Sequence, residues 1–133
     1  MGGEEISVTD EAAKLEALER VLDGFNRHDA DAIVAEFVDD CVFESPRGPD
    51  PCGRRFIGRE EVREGFAARF RGIPDVHYAG IGDFVSGERG VSEWILTGTT
   101  VDGERIEVHG CDLWTFRGDK IVRKNSFWKI VER

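Results

Sequence analysis

Residues 109–116 read His109-Gly110-Cys111-Asp112-Leu113-Trp114-Thr115-Phe116, and the run ends at Arg117-Gly118-Asp119, a tight-turn sequence. Taken as a strand from Arg105, it projects alternate side chains to opposite faces. One face carries Ile106, Val108, Gly110, Asp112, Trp114 and Phe116, and the other carries Glu107, His109, Cys111, Leu113 and Thr115. The first row is apolar except for Asp112, and Gly110 leaves space beside it. An ionised carboxylate in an apolar row is costly to bury. It needs a partner, a raised pKa or a cavity, so Asp112 is the leading candidate for function.

Working outward, Asp102-Gly103 is a hairpin signal that joins this strand to one over residues 91–100. Ser86-Gly87-Glu88-Arg89-Gly90 is a turn leading back to a strand over residues 75–85, with Val76, Tyr78 and Phe84 on one parity. After Gly118-Asp119 a last strand covers residues 120–131. The N-terminal half is helical instead. Residues 1–8 read as a short polar, frayed start, and Thr9 or Asp10 as a cap. Leu15, Leu18, Leu22 and Phe25 make an apolar stripe, with Glu11, Lys14, Glu16, Glu19 and Arg20 opposite. Asp29 caps a second, shorter helix with Ile33, Val34 and Phe37 inward, ended by Asp39-Asp40. Residues 41–45 form a short strand, and 46–58 a proline- and glycine-rich loop. A third helix near residues 59–71 buries Val62, Phe66 and Phe70, with Gly72 placed to end it. Helices followed by an antiparallel meander define an α+β domain over residues 1–133. A cone-shaped, curved antiparallel sheet wraps around three N-terminal helices, and the mouth of such a cone is a natural ligand site.

Composition narrows the partners. The formal net charge is −9, which disfavours nucleic acid and anionic membranes, since both need a basic surface. No apolar run approaches the ~20 residues of a membrane span. The start, Met1-Gly2-Gly3-Glu4-Glu5, has neither a basic nor an apolar leader segment, so the cytoplasm is the expected compartment. Cys41, Cys52 and Cys111 lack metal-ligand spacing and read as free thiols.

Five stretches together resemble the nuclear transport factor 2-like superfamily, which is cystatin-like in fold. Within it, the resemblance is to the SnoaL-like polyketide cyclases and ketosteroid isomerases. The stretches are FNRHDADAIVAEFVDDCVFES (25–45), GREEVREGF (58–66), IPDVHY (73–78), WILTGTTVDG (94–103) and CDLWTFRGDKIVR (111–123). The resemblance implies a small apolar or aromatic ligand held in the cone without metal or organic cofactor. In the isomerases a tyrosine and a protonated aspartate form an oxyanion hole, and a second aspartate moves the proton. Carried over, the oxyanion-hole aspartate falls on Asp112, the tyrosine on Val21, and the proton-shuttling aspartate on Ser45 beside Glu44. Only one of the isomerase groups is therefore retained. The cyclases also point to Asp112 as acid/base.

Hairpin arithmetic sets Glu93 and Lys124 opposite Asp112, with Ser126 and Trp128 on the same face; a one-residue slip would instead turn Arg123, Asn125 and Phe127 inward, and the resemblance favours the first register. That register gives a pocket floor of Glu93, Asp112, Lys124, Ser126 and Thr97 among Ile95, Trp114 and Trp128, joined by Phe66 from the third helix. His77 is a further candidate base, against a reading as a hydrogen-bonded structural histidine. Asp112 is either an acid/base tuned by Glu93, Lys124 and His77, or half of a buried ion pair with Lys124 that fixes register. Glu44 reads equally as a group at the cone mouth or a solvated carboxylate. His109 and Cys111 share a face but have no further ligands at zinc spacing. Three functions follow. The first is an acid/base enzyme acting beside a carbonyl, or on an epoxide or ester. The second is a binding or sensing module using the same pocket. The third is a dimeric association domain, whose outer sheet face carries Trp94, Leu96, His109, Cys111 and Leu113.

Overall fold

A computed structural model describes residues 2–132, with side chains from Asp10 to Glu132. The elements are α1 (Gly2–Asn26), α2 (Ala30–Val34), β1 (Phe37–Glu44), β2 (Arg55–Ile57), α3 (Arg59–Gly72), β3 (His77–Ser86), β4 (Arg89–Thr99), β5 (Arg105–Arg117) and β6 (Lys120–Trp128). The six strands form one sheet in the order β2-β1-β6-β5-β4-β3. All pairings are antiparallel except β1 with β6, which run parallel because α3 and the meander separate them in the chain. The curved sheet stays open, with β2 and β3 at its edges.

The helices cover one sheet face. Leu18, Val21 and Phe25 of α1, Ile33 of α2, and Val62 and Phe66 of α3 pack against Trp94 and Leu96 of β4 and Trp114 and Phe116 of β5. Removing this apolar surface from water is the main stabilising term. Two hydrogen bonds lock the end of α1 to the start of β3: Asn26 Nδ2 donates to the Tyr78 carbonyl at 2.9 Å, and Tyr78 N–H donates to Asn26 Oδ1 at 2.8 Å.

Several sequence expectations change. Thr9 and Asp10 lie inside α1, which begins at Gly2. Lys14 is buried on the core side, its ammonium 2.6 Å from Asp10 and above the Phe116 ring. α2 stops at Val34, and Phe37 opens strand β1 rather than closing the helix. Phe37 remains buried, its ring edge-on to Phe66 and Trp114. The loop after β1 contains the short strand β2, which covers the edge of β1. A bulge between Gly80 and Gly82 moves Phe84 off the parity of Tyr78, so Phe84 is exposed on the outer face.

Candidate functional site

The inner row of β5 positions the site. Asp112 is buried with three donors: Lys124 Nζ at 2.8 Å and Ser126 Oγ at 2.5 Å on Oδ1, and Trp94 Nε1 at 2.8 Å on Oδ2. Lys124 Nζ also donates to Ser126 Oγ at 2.6 Å. The three polar side chains thus close a triangle, with Ser126 taking a proton donor from the lysine and giving one to the aspartate. Four rings, of Phe25, Phe43, Phe66 and Trp114, surround the ammonium at 4.9–5.8 Å. Burial pushes Lys124 below the ordinary lysine range, and the Asp112 carboxylate opposes that shift.

A cavity of about 210 Å³ opens above this triangle, walled by Lys124 and Ser126, by Phe43, Phe56 and Trp128, and by Tyr78 and Arg69. Asp112 itself lines only a much smaller adjoining space of about 30 Å³ with Ser92, Trp94 and Trp114. Asp112 therefore meets the main cavity through Ser126 and Lys124. The larger concavity, about 730 Å³, lies on the outer sheet face among Phe84, Val91, Cys111 and Phe127. It contains no buried polar cluster, so the inner cavity is the better candidate for chemistry.

The structure brings together Asp112, Lys124, Ser126, Trp128, Trp114 and Phe66, and separates the rest. Asp112 faces Ser92 and Ser126 across the ladder, while Lys124 faces Trp114 and reaches Asp112 diagonally. Glu93 pairs with Cys111, points outward and bonds to His109 at 2.8 Å, so it is not on the pocket floor. Ile95 and Thr97 share that outer parity, and Trp94 and Leu96 are the buried ones. His77 pairs with Thr97 on the same outer side and is exposed. Trp114 is fully enclosed and donates to Ser92 at 2.9 Å rather than lining the main cavity. One register step in the β4–β5 hairpin accounts for Glu93, Ile95 and Thr97.

Glu44 is neither solvated nor at the mouth. It is buried under the guanidiniums of Arg55, at 2.7 Å, and Arg123. Burial raises its carboxyl, but these two hydrogen-bonded cations outweigh it and hold Glu44 below the ordinary glutamate range. Arg55 is thereby committed to Glu44. Val21 is core, and Ser45 reaches the cavity wall while donating to the Arg47 carbonyl at 2.6 Å.

Among the cavity residues that sequence reasoning missed, Tyr78 and Arg69 bring polar groups. Tyr78 enters from β3, its ring edge-on to Trp94 at 5.1 Å, so the cavity has a tyrosine although the α1 position holds Val21. Burial pushes its phenol up to about 12, with Arg69 opposing and Asp112 reinforcing the shift. Arg69, from the last turn of α3, stacks on Trp128 at 4.7 Å. Its position one turn after Phe66, three residues on, was the available signal. Among the described residues, no group of three or more His, Cys, Asp or Glu side chains is arranged to hold a metal ion. His109 is engaged by Glu93.

A helix-backed open cone, with a charged triangle buried beneath an apolar cavity, defines a small cone-fold domain of the nuclear transport factor 2-like type. Residues 18–124 match the SnoaL-like domain, and the chain belongs to that family. It is similar over 90% of its length, and 93% of the other chain, to a nuclear transport factor 2-like protein of unknown function from Mesorhizobium loti, with 26% identity and a TM-score of 0.75. It is similar in fold to SalBIII, an epoxide hydrolase/cyclase-like enzyme of pyran ring formation in the polyether salinomycin. There the identity is 23%, the TM-score 0.78, and coverage 91% of this chain and 94% of that one. A protein with a ketosteroid isomerase-like fold from Catenulispora acidiphila, in complex with trimethylamine, has 17% identity and a TM-score of 0.78, over 86% of each chain. No curated protein matches the chain.

Proposed function

We propose that this chain binds a compact, largely apolar molecule in the inner cavity and acts on it by acid/base chemistry without a cofactor. The observation that carries this reading is the buried Asp112–Ser126–Lys124 triangle at the cavity floor, with the lysine and serine facing the cavity and the aspartate behind them. Lys124 and Ser126 are the groups that meet the ligand. The ammonium stabilises charge developing on a carbonyl or ring oxygen, and its low-dielectric, aromatic surroundings strengthen that interaction. The serine hydroxyl passes a proton toward Asp112, which also balances the lysine charge. Proton abstraction beside a carbonyl, as in isomerisation or cyclisation, fits best, with epoxide or ester opening next. The epoxide hydrolase/cyclase-like character of SalBIII is in keeping with this class. Turnover of a panel of ketones, lactones and epoxides tests it. Activity on one member should fall by orders of magnitude in Asp112→Asn and Lys124→Met. Unchanged turnover in both variants would eliminate the mechanism.

A second reading has its own support. Every acceptor position of Asp112 that the cluster uses is already filled by Trp94, Lys124 or Ser126, as in a structural tie. On that reading the cavity holds a ligand for sensing or carriage, and affinity without turnover is the expected result. Either function is compatible with a homodimer formed through the outer sheet face. A reducing, cytoplasmic setting suits the three free thiols.

A further inference from the structure

Two cations, Lys124 and Arg69, line the inner cavity, and no carboxylate does. Lys124 is matched by Asp112 at 2.8 Å. Arg69 is not matched: among the described residues no carboxylate forms an ion pair with it, although the fold supplies Glu44 to both Arg55 and Arg123. In a chain of net charge −9, a cavity-lining arginine without an acidic partner is a local reversal of sign. Its guanidinium lies over the Trp128 ring at 4.7 Å and beside the Tyr78 phenol, which engages one of its five N–H donors and leaves others for a planar acceptor. The excess charge is felt at the neighbouring groups, since Arg69 opposes the rise of the Tyr78 phenol and adds to the lowering of Lys124. Two aromatic rings share the wall. Phe43 and Phe56 lie nearly parallel, 13° apart with centroids at 5.4 Å. A volume of about 210 Å³ is below the ~300–1,000 Å³ of drug-sized sites and suits one or two fused rings.

We propose that Arg69 is the specificity residue of this cavity and docks the carboxylate of a small aryl acid, whose ring lies against Phe43 and Phe56. This rests on the reading of the cavity as a ligand site but not on any turnover in it. A carboxylate offers the fork of the guanidinium two parallel hydrogen bonds, which a neutral amide or ester cannot.

Isothermal titration of the full chain with 2-naphthoate and with 2-naphthamide tests the proposal. The acid should bind tenfold or more tightly than the amide, the ratio expected for charge-assisted hydrogen bonds, at about 1.5–3 kcal/mol. Arg69→Gln should reduce the acid to the affinity of the amide while leaving the amide unchanged. Arg69→Lys should keep part of the preference, which separates lost charge from lost packing. Circular dichroism confirms that both variants remain folded. Equal binding of acid and amide by the wild-type chain, or a preference that survives in Arg69→Gln, would overturn the assignment while leaving the cavity a ligand site. Binding of neither would overturn both. A preference that holds in a chain without turnover would keep the docking role and remove only the catalytic reading.

Discussion

Tyr78 is the chain's one tyrosine, so phenolate absorbance reports the cavity wall alone. Its phenol is pushed up to about 12 in the folded chain, chiefly by burial, against about 10 for a solvated tyrosine. A raised folded pKa contributes stability that is complete below about pH 10 and is lost as the pH climbs through about 12. In an absorbance titration, folded protein should show no phenolate step near pH 10, and denatured protein should show one there. A step near 10 in the folded chain would mean that Tyr78 is solvated. Tyr78→Phe should remove this part of the alkaline loss. The Asp112–Lys124 pair belongs to the same scale. Both side chains are almost fully enclosed, so truncating one leaves the other charge buried without its partner. Asp112→Leu or Lys124→Met alone should cost about 3–5 kcal/mol in urea unfolding, and the double variant Asp112→Leu/Lys124→Met clearly less than the sum. Additive losses would show that the two charges do not depend on each other. The sequence made Asp112 conspicuous because one carboxylate interrupts an apolar row. Tyr78 and Arg69 had no such contrast, since each sits among residues of its own kind: an aromatic at a strand start, and a basic residue in a helix rich in arginine.

At the scale of strands, the period of two made face membership on β5 and β6 legible, while the cross-strand partners depended on the turns. The β4–β5 connection is not a two-residue Asp102-Gly103 turn. It is a loop over residues 100–104, closed by Thr100, whose hydroxyl accepts from Glu104 N–H at 3.0 Å and whose N–H donates to the Glu104 carbonyl at 2.9 Å. The longer loop shifts pairing by one residue, which turns Glu93, Ile95 and Thr97 outward and Trp94 inward. The next turn is tighter than expected, with Arg117 facing Lys120, and an irregularity after Thr115 brings Ser126 opposite Asp112. Gly110 links register to site. A Cβ there would lie 2.5 Å from the Trp94 ring and 2.5 Å from the Phe127 carbonyl oxygen, so the glycine is the seat of the indole that donates to Asp112. Gly110→Ala should destabilise the chain by about 1–3 kcal/mol through overpacking and displace Trp94. Thermal unfolding and tryptophan fluorescence would register both effects. An unchanged melting point and spectrum would mean that β5 and Trp94 relax freely at this crossing.

For the whole molecule, the two faces of the sheet divide the labour. The inner face, covered by helices, holds the cavity and its charged triangle. Among the described residues, no element covers the outer face. Ile81, Phe84 and Phe127 are 52%, 63% and 49% exposed there, around a concavity that Val91 and Cys111 complete. Contiguous exposed apolar surface of this kind marks an association site. Its rim carries Asp83, Lys129 and the Glu93–His109 pair. The sheet is therefore expected to pair back to back with that of another chain, leaving both inner cavities open on the far sides. Sedimentation equilibrium of the wild-type chain at micromolar concentration should give a dimer. Phe84→Glu with Phe127→Glu should give a folded monomer, because each carboxylate would have to be buried unpaired in the contact. Added salt should strengthen the wild-type dimer by screening the repulsion between two chains of net charge −9. A wild-type monomer, or a dimer untouched by both substitutions, would place the association surface elsewhere. Ligand affinity of the inner cavity should be the same in the monomeric variant, since neither Phe84 nor Phe127 lines it.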